Sequence, residues 1–225
     1  MNTPHTLSVV EKEMHALAAG INAMGALVAQ QLTDLLDALR RADAAALAAV
    51  AARDGEVDAF QARIEEQVMS LLVRLQPVAR DLRSVLAGQL VALELERSGD
   101  HVKRIAKQLG KIPGTLPSEI SSRLLWFGNQ ARALLQRALN AYHSADAAQA
   151  RQAWADDVEL DRMYHGFLSD LLARMRGDGD WVDIGVRLVG IAKSMERIGD
   201  HATNIAEEAR FVALGEIMPA RRGSL

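Results

Sequence analysis

Apolar side chains recur at intervals of three and four residues through the first part of the chain. They are Leu17, Ile21, Met24, Leu27, Val28, Leu32, Leu35, Leu36 and Leu39. This spacing places them on one side of an α-helix and predicts a long amphipathic helix. Ser8, with Glu11 three residues later, has the arrangement of a capping box, so we expect the helix to begin at Ser8.

Two further long helices are predicted in the first half of the chain. Asp43 is the expected N-cap of a short alanine-rich helix that ends near Arg53. Beyond it, apolar residues at helical spacing over 57–75 predict the second long helix, which Pro77 ends. The third is predicted over 79–109, before the stretch GKIPGTLPSE, whose glycines and prolines indicate a linker.

The second half of the chain repeats the first. Residues 42–58 align without gaps on 145–161 with 8 of 17 positions identical, and 96–106 align on 196–206 with 7 of 11 identical. The two offsets, 103 and 100, are nearly equal, as expected for a tandem duplication.

This duplication predicts an all-α fold of two tandem, pseudo-symmetric three-helix bundles with six long helices. We assign residues 1–112 to the first repeat and residues 113–225 to the second. The segment after Leu214 contains Gly and Pro without apolar periodicity, so we expect it to be a loose tail.

The composition agrees with a helical protein and narrows the classes of function. Aromatic residues make up only 4% of the chain, and cysteine is absent, so any metal must be held by oxygen or imidazole ligands. A net charge of -3 argues against general nucleic-acid binding. The N-terminus lacks the pattern of a signal peptide, and no apolar run reaches the roughly 18 residues of a spanning helix. These features favour a soluble protein, and the absence of cysteine fits a reducing cytosol.

Carboxylates spaced four residues apart occur at equivalent places in both repeats. The four pairs are Asp54 with Asp58, Glu96 with Asp100, Asp157 with Asp161, and Glu196 with Asp200. An interval of four brings two side chains to the same helix face, where like charges repel. In the first repeat, 17 residues lead from Asp58 to the end of its helix at Leu75, and 17 lead from the start of the next helix at Ala79 to Glu96. The corresponding counts in the second repeat are both 14, so the two pairs of each repeat are expected at the same height. Each repeat is therefore predicted to bring four carboxylates together.

Four neighbouring carboxylates repel one another unless they are protonated or bind a cation. A site built only from oxygen ligands suits Mg, Mn, Ca or iron ions, and it can hold more than one of them. The alternative is that the acids form surface ion pairs without a metal. The cations near them in sequence are Arg97, Lys103, Arg104 and Arg197.

Each cluster has a glycine and a histidine beside it in sequence. Gly99 and Gly199 lack the side chain that would keep a neighbouring helix, an ion or a partner at a distance, and they can equally serve helix packing. His101 and His201 are rotated by about 100° from the adjacent aspartate, which favours a place at the rim over direct ligation.

The motif ERSGDH at 96–101 recurs as ERIGDH at 196–201, and the second copy lies within MERIGDHATNIAEEA at 195–209. On these residues nearly the whole chain resembles the PhoU family, the accessory regulators of bacterial high-affinity phosphate transport. The family's metal motif, an acid followed by Asp four residues on, coincides with all eight acids named above.

The resemblance implies a cytoplasmic regulator and not an enzyme. Such a regulator conveys phosphate sufficiency between the ATPase of a phosphate ABC transporter and a membrane sensor histidine kinase, and it restrains phosphate uptake and the starvation response. The resemblance also implies a homodimer and divalent or iron-type metal ions, such as Fe, Zn, Mn or Mg, at the acidic clusters. The two copies of the motif differ after the histidine, so the two sites need not bind ions equally. The first has Val102, Lys103 and Arg104 where the second has Ala202, Thr203 and Asn204.

Two other functions stay open on the sequence, namely a carboxylate-bridged metalloenzyme and a metal-storage bundle. Diiron oxidases in helical bundles use Glu-x-x-His, and none of the six histidines here has a Glu three residues before it. Because the acidic patches repel anions, we expect any phosphate binding by this chain to require bound metal.

Overall fold

The computed structural model describes residues 4–216, with side chains described from residue 9 onward. The helices of this part are α1 (Pro4–Arg41), α2 (Ala44–Ala52), α3 (Asp54–Leu75), α4 (Ala79–Leu109), α5 (Ser118–Ser144), α6 (Ala147–Gly177) and α7 (Val182–Leu214). A single 3-10 turn, Gly179–Trp181, precedes α7. All but α2 are long, and residues 4–216 contain no β-strand, so the all-α prediction is confirmed.

The start of α1 differs from its prediction. The helix begins at Pro4, and Ser8 is already helical, so Ser8 does not cap it and the capping-box prediction is wrong. Proline suits the first turn of a helix because its φ angle is fixed near the helical value and no partner is needed for an N–H there. At the other end, α7 ends at Leu214, followed by Gly215 with φ 73°. The predicted loose tail falls mostly on 217–225, which lie outside the described residues.

The caps of α2 and α6 display the duplication directly. The Asp43 carboxylate accepts a hydrogen bond from the backbone N–H of Ala46, and the Asp146 carboxylate accepts from Ala148 and Gln149. Each cap satisfies N–H groups that the first helical turn leaves without a partner. The prediction for Asp43 is therefore confirmed, and the equivalent residue of the second repeat has the same role.

The two repeats differ after these caps. In the first repeat the helix is broken at Arg53, between α2 and α3. The backbone carbonyl of Arg53 accepts a hydrogen bond from Gln31 Nε2. Gly55 follows this break, and glycine weakens a helix. In the second repeat, Asp156 and Val158 take the equivalent positions, and α6 continues through them without interruption.

One hydrophobic core extends through both repeats. Its fully buried side chains include Met24 of α1, Leu95 of α4, Leu135 of α5 and Ile198 of α7. In the described part of the chain, helix α3 packs only on helices of the first repeat and α6 only on those of the second, and the core is continuous because α4 also packs on α7 and α1 on α5. The boundary between residues 112 and 113 stays a prediction.

Helices α4 and α7 form the centre of this arrangement and run antiparallel. The ring of His101 faces that of His201 at 5.4 Å between centroids, and Arg187 Nη1 near the start of α7 donates to Gln108 Oε1 near the end of α4. The two copies of the repeated motif consequently lie on the same helix pair. Within the described residues, the helices lack the length of apolar sequence that is needed to cross a bilayer.

Candidate metal centre

The second-repeat cluster comprises Asp157 and Asp161 of α6 with Glu196 and Asp200 of α7. Carboxylate oxygens of Asp157, Asp161 and Asp200 lie within 4.8 Å of one another. Asp157 is fully buried, and Glu196 is only 8% exposed. Oxygen atoms converging from two rigid helices, with part of the group removed from water, form a geometry that a hard cation can bridge.

Gly199 allows α6 to approach α7 at this cluster. A methyl group at position 199 would lie 2.7 Å from Leu160 Cδ1 and 3.0 Å from Asp157 Oδ1, both closer than normal contact. At the equivalent Gly99, the nearest side-chain atoms are those of Val57 at 3.4 Å. A side chain at position 199 would thus force Leu160 or Asp157 to shift, while one at position 99 would meet Val57 at an ordinary contact distance.

Two cations of α7 contact acids of the second-repeat cluster. Burial raises the pKa of Asp200 above its usual value, the Glu196 carboxylate adds to this effect, and Arg197 opposes it. Lys193 Nζ lies 2.6 Å from Glu196 Oε1, and Arg197 Nη1 lies 3.0 Å from Asp200 Oδ2. Both cations pair with a carboxylate of their own helix.

The first-repeat cluster comprises Asp54 and Asp58 of α3 with Glu96 and Asp100 of α4. Lys103 lies among these acids, where its Nζ donates a hydrogen bond to Asp54 Oδ2 and lies 3.4 Å from Asp100 Oδ1. The bond to Asp54 raises the pKa of Lys103, so the ammonium is charged at neutral pH. The cation of this cluster therefore belongs to the chain itself.

The acids of the first-repeat cluster also influence one another. Burial raises the pKa of Glu96, and the negative charges of Asp100 and Asp58 raise it further. Among the described residues, however, no three acids of this cluster bring carboxylate oxygens within 4.8 Å of one another, as Asp157, Asp161 and Asp200 do. Of the cations near the acids in sequence, Lys103 and Arg197 form ion pairs with acids of the clusters, whereas Arg97 instead approaches Glu94 at 3.5 Å.

A polar group that the sequence did not single out joins the two repeats. Glu94 of α4 is buried, and its Oε2 accepts hydrogen bonds from His201 at 2.7 Å and from Asn204 at 3.0 Å, both on α7. The sequence contains a signal for it, because Glu94 is a charged residue at helical spacing from Val91 and Ser98, which are buried in the structure. The equivalent residue of the second repeat is the uncharged Ser194.

The histidines lie at this contact between α4 and α7. Burial lowers the pKa of His101 to about 4, and the neighbouring His201 adds to the effect. His101 is therefore neutral at physiological pH, and its Nδ1 is buried without a hydrogen-bond partner among the described residues. Burial tends to raise the pKa of Glu94, but the bonds from His201 and Asn204 outweigh it, so that pKa is lowered.

The donor set of the second-repeat cluster fits a metal ion. All of its ligands are carboxylates, two of its members are buried, and Glu196 Oε2 accepts no hydrogen bond among the described residues. Asp157, Asp161 and Asp200 would hold the ion, with Glu196 beside them. Such an ion would supply positive charge between α6 and α7. The first-repeat cluster does not offer the same opening, because Lys103 already bridges its two helices.

One known family model matches the chain twice, once in each repeat. The family model described as "PhoU domain" matches residues 21–109 and again residues 124–209. The chain belongs to the PhoU family. The PhoU resemblance expected from the repeated motif is thereby confirmed.

Relatives of known name agree with this assignment over nearly their full length. A protein of Caulobacter vibrioides strain NA1000 / CB15N, named a phosphate-specific transport system accessory protein PhoU homolog, is 34% identical over 99% of this chain and 97% of its own. A protein of the same name from Xylella fastidiosa strain 9a5c is 35% identical over 97% of this chain and 93% of its own. These PhoU proteins are named as accessory proteins and not as enzymes, in agreement with the non-enzymatic prediction.

Solved PhoU structures share the fold. The crystal structure of PhoU from Pseudomonas aeruginosa superposes with a TM-score of 0.85 at 29% identity, and the match covers 92% of this chain and 99% of that one. The phosphate transport system regulatory protein PhoU from Streptococcus pneumoniae gives 0.86 at 25% identity, covering 94% of this chain and 100% of the other.

Proposed function

We propose that this chain is a regulatory accessory protein of a phosphate-specific transport system, and that its second-repeat cluster holds a divalent or iron-type metal ion. The transport role is supported by the names of relatives that match almost the whole chain. Under this proposal the chain acts on the cytoplasmic side, where it contacts the transporter ATPase. Signalling to a membrane sensor kinase and homodimerisation, both implied by the family resemblance, stay predictions.

The convergence of Asp157, Asp161 and Asp200 is the observation that supports the metal proposal most strongly. Their oxygens meet within 4.8 Å although they come from two different helices. Bringing like charges together in a partly buried place is unfavourable unless a proton or a cation compensates them. A bound ion would therefore stabilise the packing of α6 on α7, and the helices in turn would fix the ligand geometry.

Elemental analysis tests the metal proposal. The protein is purified without chelator and without a metal-affinity column, and bound metals are then measured by mass spectrometry. We expect bound metal in the native chain and a large loss of it in the double variant Asp157→Asn with Asp161→Asn. Asp170→Asn, an exposed substitution on the same helix, is the matched control and should keep the metal. Equal metal content in the two variants would refute the proposal.

A genetic experiment tests the transport role separately. Deletion of the gene should derepress the phosphate-starvation response in phosphate-rich medium, and the native chain should restore repression. Capture of the tagged native chain from cells should recover the transporter ATPase. A deletion strain with normal phosphate regulation would contradict the proposed role, whatever the metal analysis shows.

A further inference from the structure

Lys103 links the two helices of the first-repeat cluster. It belongs to α4, yet its ammonium group contacts Asp54 on α3 as well as Asp100 on its own helix. The side chain is partly buried, and the Asp54 carboxylate is only 16% exposed. An ammonium at this place contributes positive charge between two helices that carry negative charge, which is the contribution a metal ion would make.

The equivalent position in the second repeat carries no charge. Thr203 replaces Lys103 there, it is buried, and its hydroxyl donates a hydrogen bond to the backbone carbonyl of Asp200 at 2.7 Å. The cations of the second-repeat cluster, Lys193 and Arg197, form their ion pairs with carboxylates of α7 itself. Among the described residues, a lysine that reaches from this position to the other helix of its cluster is thus present in the first repeat and not in the second.

We propose that Lys103 is a built-in cation that takes the place of a metal ion in the first-repeat cluster, so that the chain binds metal selectively through its second repeat. This inference rests on the proposed metal binding of the second-repeat cluster. An ion entering between Asp54 and Asp100 would meet an ammonium already in contact with both, and like charges at such a distance repel strongly in a partly buried place. Binding would require the displacement of Lys103 from its carboxylate partners.

Charge and shape both make Lys103 a suitable counterion. Its flexible stem lets the ammonium reach across to the other helix, and its three N–H donors can serve more than one carboxylate. Lys103 then offsets part of the negative charge of the first-repeat cluster without any ligand. In the second-repeat cluster the buried Thr203 takes that place, so a cation from solution can bind between α6 and α7 under this proposal.

Substitution of Lys103 by methionine tests the inference. Methionine keeps the length of the side chain but removes its charge, and Lys107→Met, an exposed change of the same kind one turn later, is the matched control. Chelator-treated proteins are dialysed against Mn²⁺ alone, and bound Mn²⁺ is measured at saturation. We expect Lys103→Met to bind about twice as much Mn²⁺ as the native chain, since a second equivalent cluster becomes available. Lys107→Met should bind the native amount.

A further substitution locates the added ions. Asp54→Asn should abolish the additional binding in the Lys103→Met background and leave Mn²⁺ binding of the native chain unchanged. Circular dichroism verifies that every variant is folded, and Lys103→Gln repeats the test with a different uncharged side chain. Lys103→Met binding no more Mn²⁺ than Lys107→Met would overturn the inference, as would loss of native binding through Asp54→Asn.

The same experiment separates this inference from the proposed metal function. If the native chain binds Mn²⁺ and Lys103→Met binds no more of it, the proposed second-repeat site stands and the role of Lys103 is refuted. If the native chain binds no Mn²⁺ but Lys103→Met does, and Asp54→Asn abolishes that binding, the proposed second-repeat site is refuted and the role of Lys103 is supported. Absence of binding in all variants refutes both.

Discussion

His201 Nδ1 lies 2.7 Å from Glu94 Oε2, so the histidine of the second motif is hydrogen-bonded to a buried carboxylate of the first repeat. The bond joins α4 to α7 at the centre of the molecule. Asn204 donates to the same oxygen from one turn further along α7. A polar network in this place specifies the register of the two helices, because apolar packing alone tolerates small sliding.

Replacing Glu94 by alanine should destabilise the protein by about 2 kcal/mol, because two partly buried donors, His201 and Asn204, lose their acceptor. The free energy of unfolding in urea measures this loss. Glu65→Ala, at an exposed position of α3, should change the same quantity by less than about 0.5 kcal/mol. Equal unfolding free energies for the two variants would show that the Glu94 network contributes nothing to stability.

Glu208 should make the stability of the fold dependent on pH. Burial raises its pKa from 4.5 to about 7, and the charges of Glu207 and Glu94 add to the effect. The folded state therefore retains a proton that the unfolded state has released, and the contribution of Glu208 to stability falls as the pH rises from 4.5 to about 7.

Replacement of Glu208 by glutamine removes this titration. Above pH 7 the variant should be more stable than the native chain by roughly 1 kcal/mol, a figure reduced for solvent screening of a partly exposed group. Below pH 4.5 the difference should disappear. Urea unfolding across this pH range measures the difference, and titration of the other groups cancels between the two proteins. A difference that does not change with pH would contradict the prediction.

The two motif glycines should respond differently to alanine. Gly199→Ala places a methyl group against Leu160 and Asp157, so we expect a loss of about 1 to 3 kcal/mol and weaker metal binding. Gly99→Ala meets only Val57 at a normal contact distance and should gain roughly 0.5 kcal/mol, because alanine favours a helix. Thermal unfolding of the two variants compares them directly. Equal losses would mean that Gly199 has no special role in packing.

Phosphate binding by this chain should require a bound metal ion. The clusters are acidic and repel phosphate, whereas a cation held between them could attract it. Calorimetric titration of phosphate into chelator-treated protein should give no binding heat, and any heat should appear only after loading with Mn²⁺. Phosphate uptake by the metal-free chain would contradict this prediction, and the double variant Asp157→Asn with Asp161→Asn controls for binding elsewhere.

Local features of the fold could be predicted from the sequence because they depend on neighbours along the chain. Asp43 caps α2 as expected, and the third long helix begins at Ala79 and ends at Leu109 as expected. The matching heights of the acid pairs also followed, since a helix has a constant rise and the turn between α3 and α4 is short. These inferences needed no knowledge of how the two repeats pack.

Features that depend on contacts between distant residues could not be predicted in this way. Periodicity shows that a helix has an apolar face, but it does not show which other helix covers that face. The contact between α4 and α7, and with it the bond of Glu94 to His201, therefore became visible only in the structure. The bridge from Lys103 to Asp54 is a similar case, because the sequence placed Lys103 nearest to Asp100.

Lys103 is part of the chain, so a chelator cannot remove the positive charge that it contributes beside Asp54. Under the proposal, the first-repeat cluster keeps its counterion in the presence of a chelator, while the second-repeat cluster exchanges its own with the surrounding solution. The two duplicated repeats would then differ in function. The first would keep a constant charge between its helices, and the second would respond to changes in the supply of metal ions.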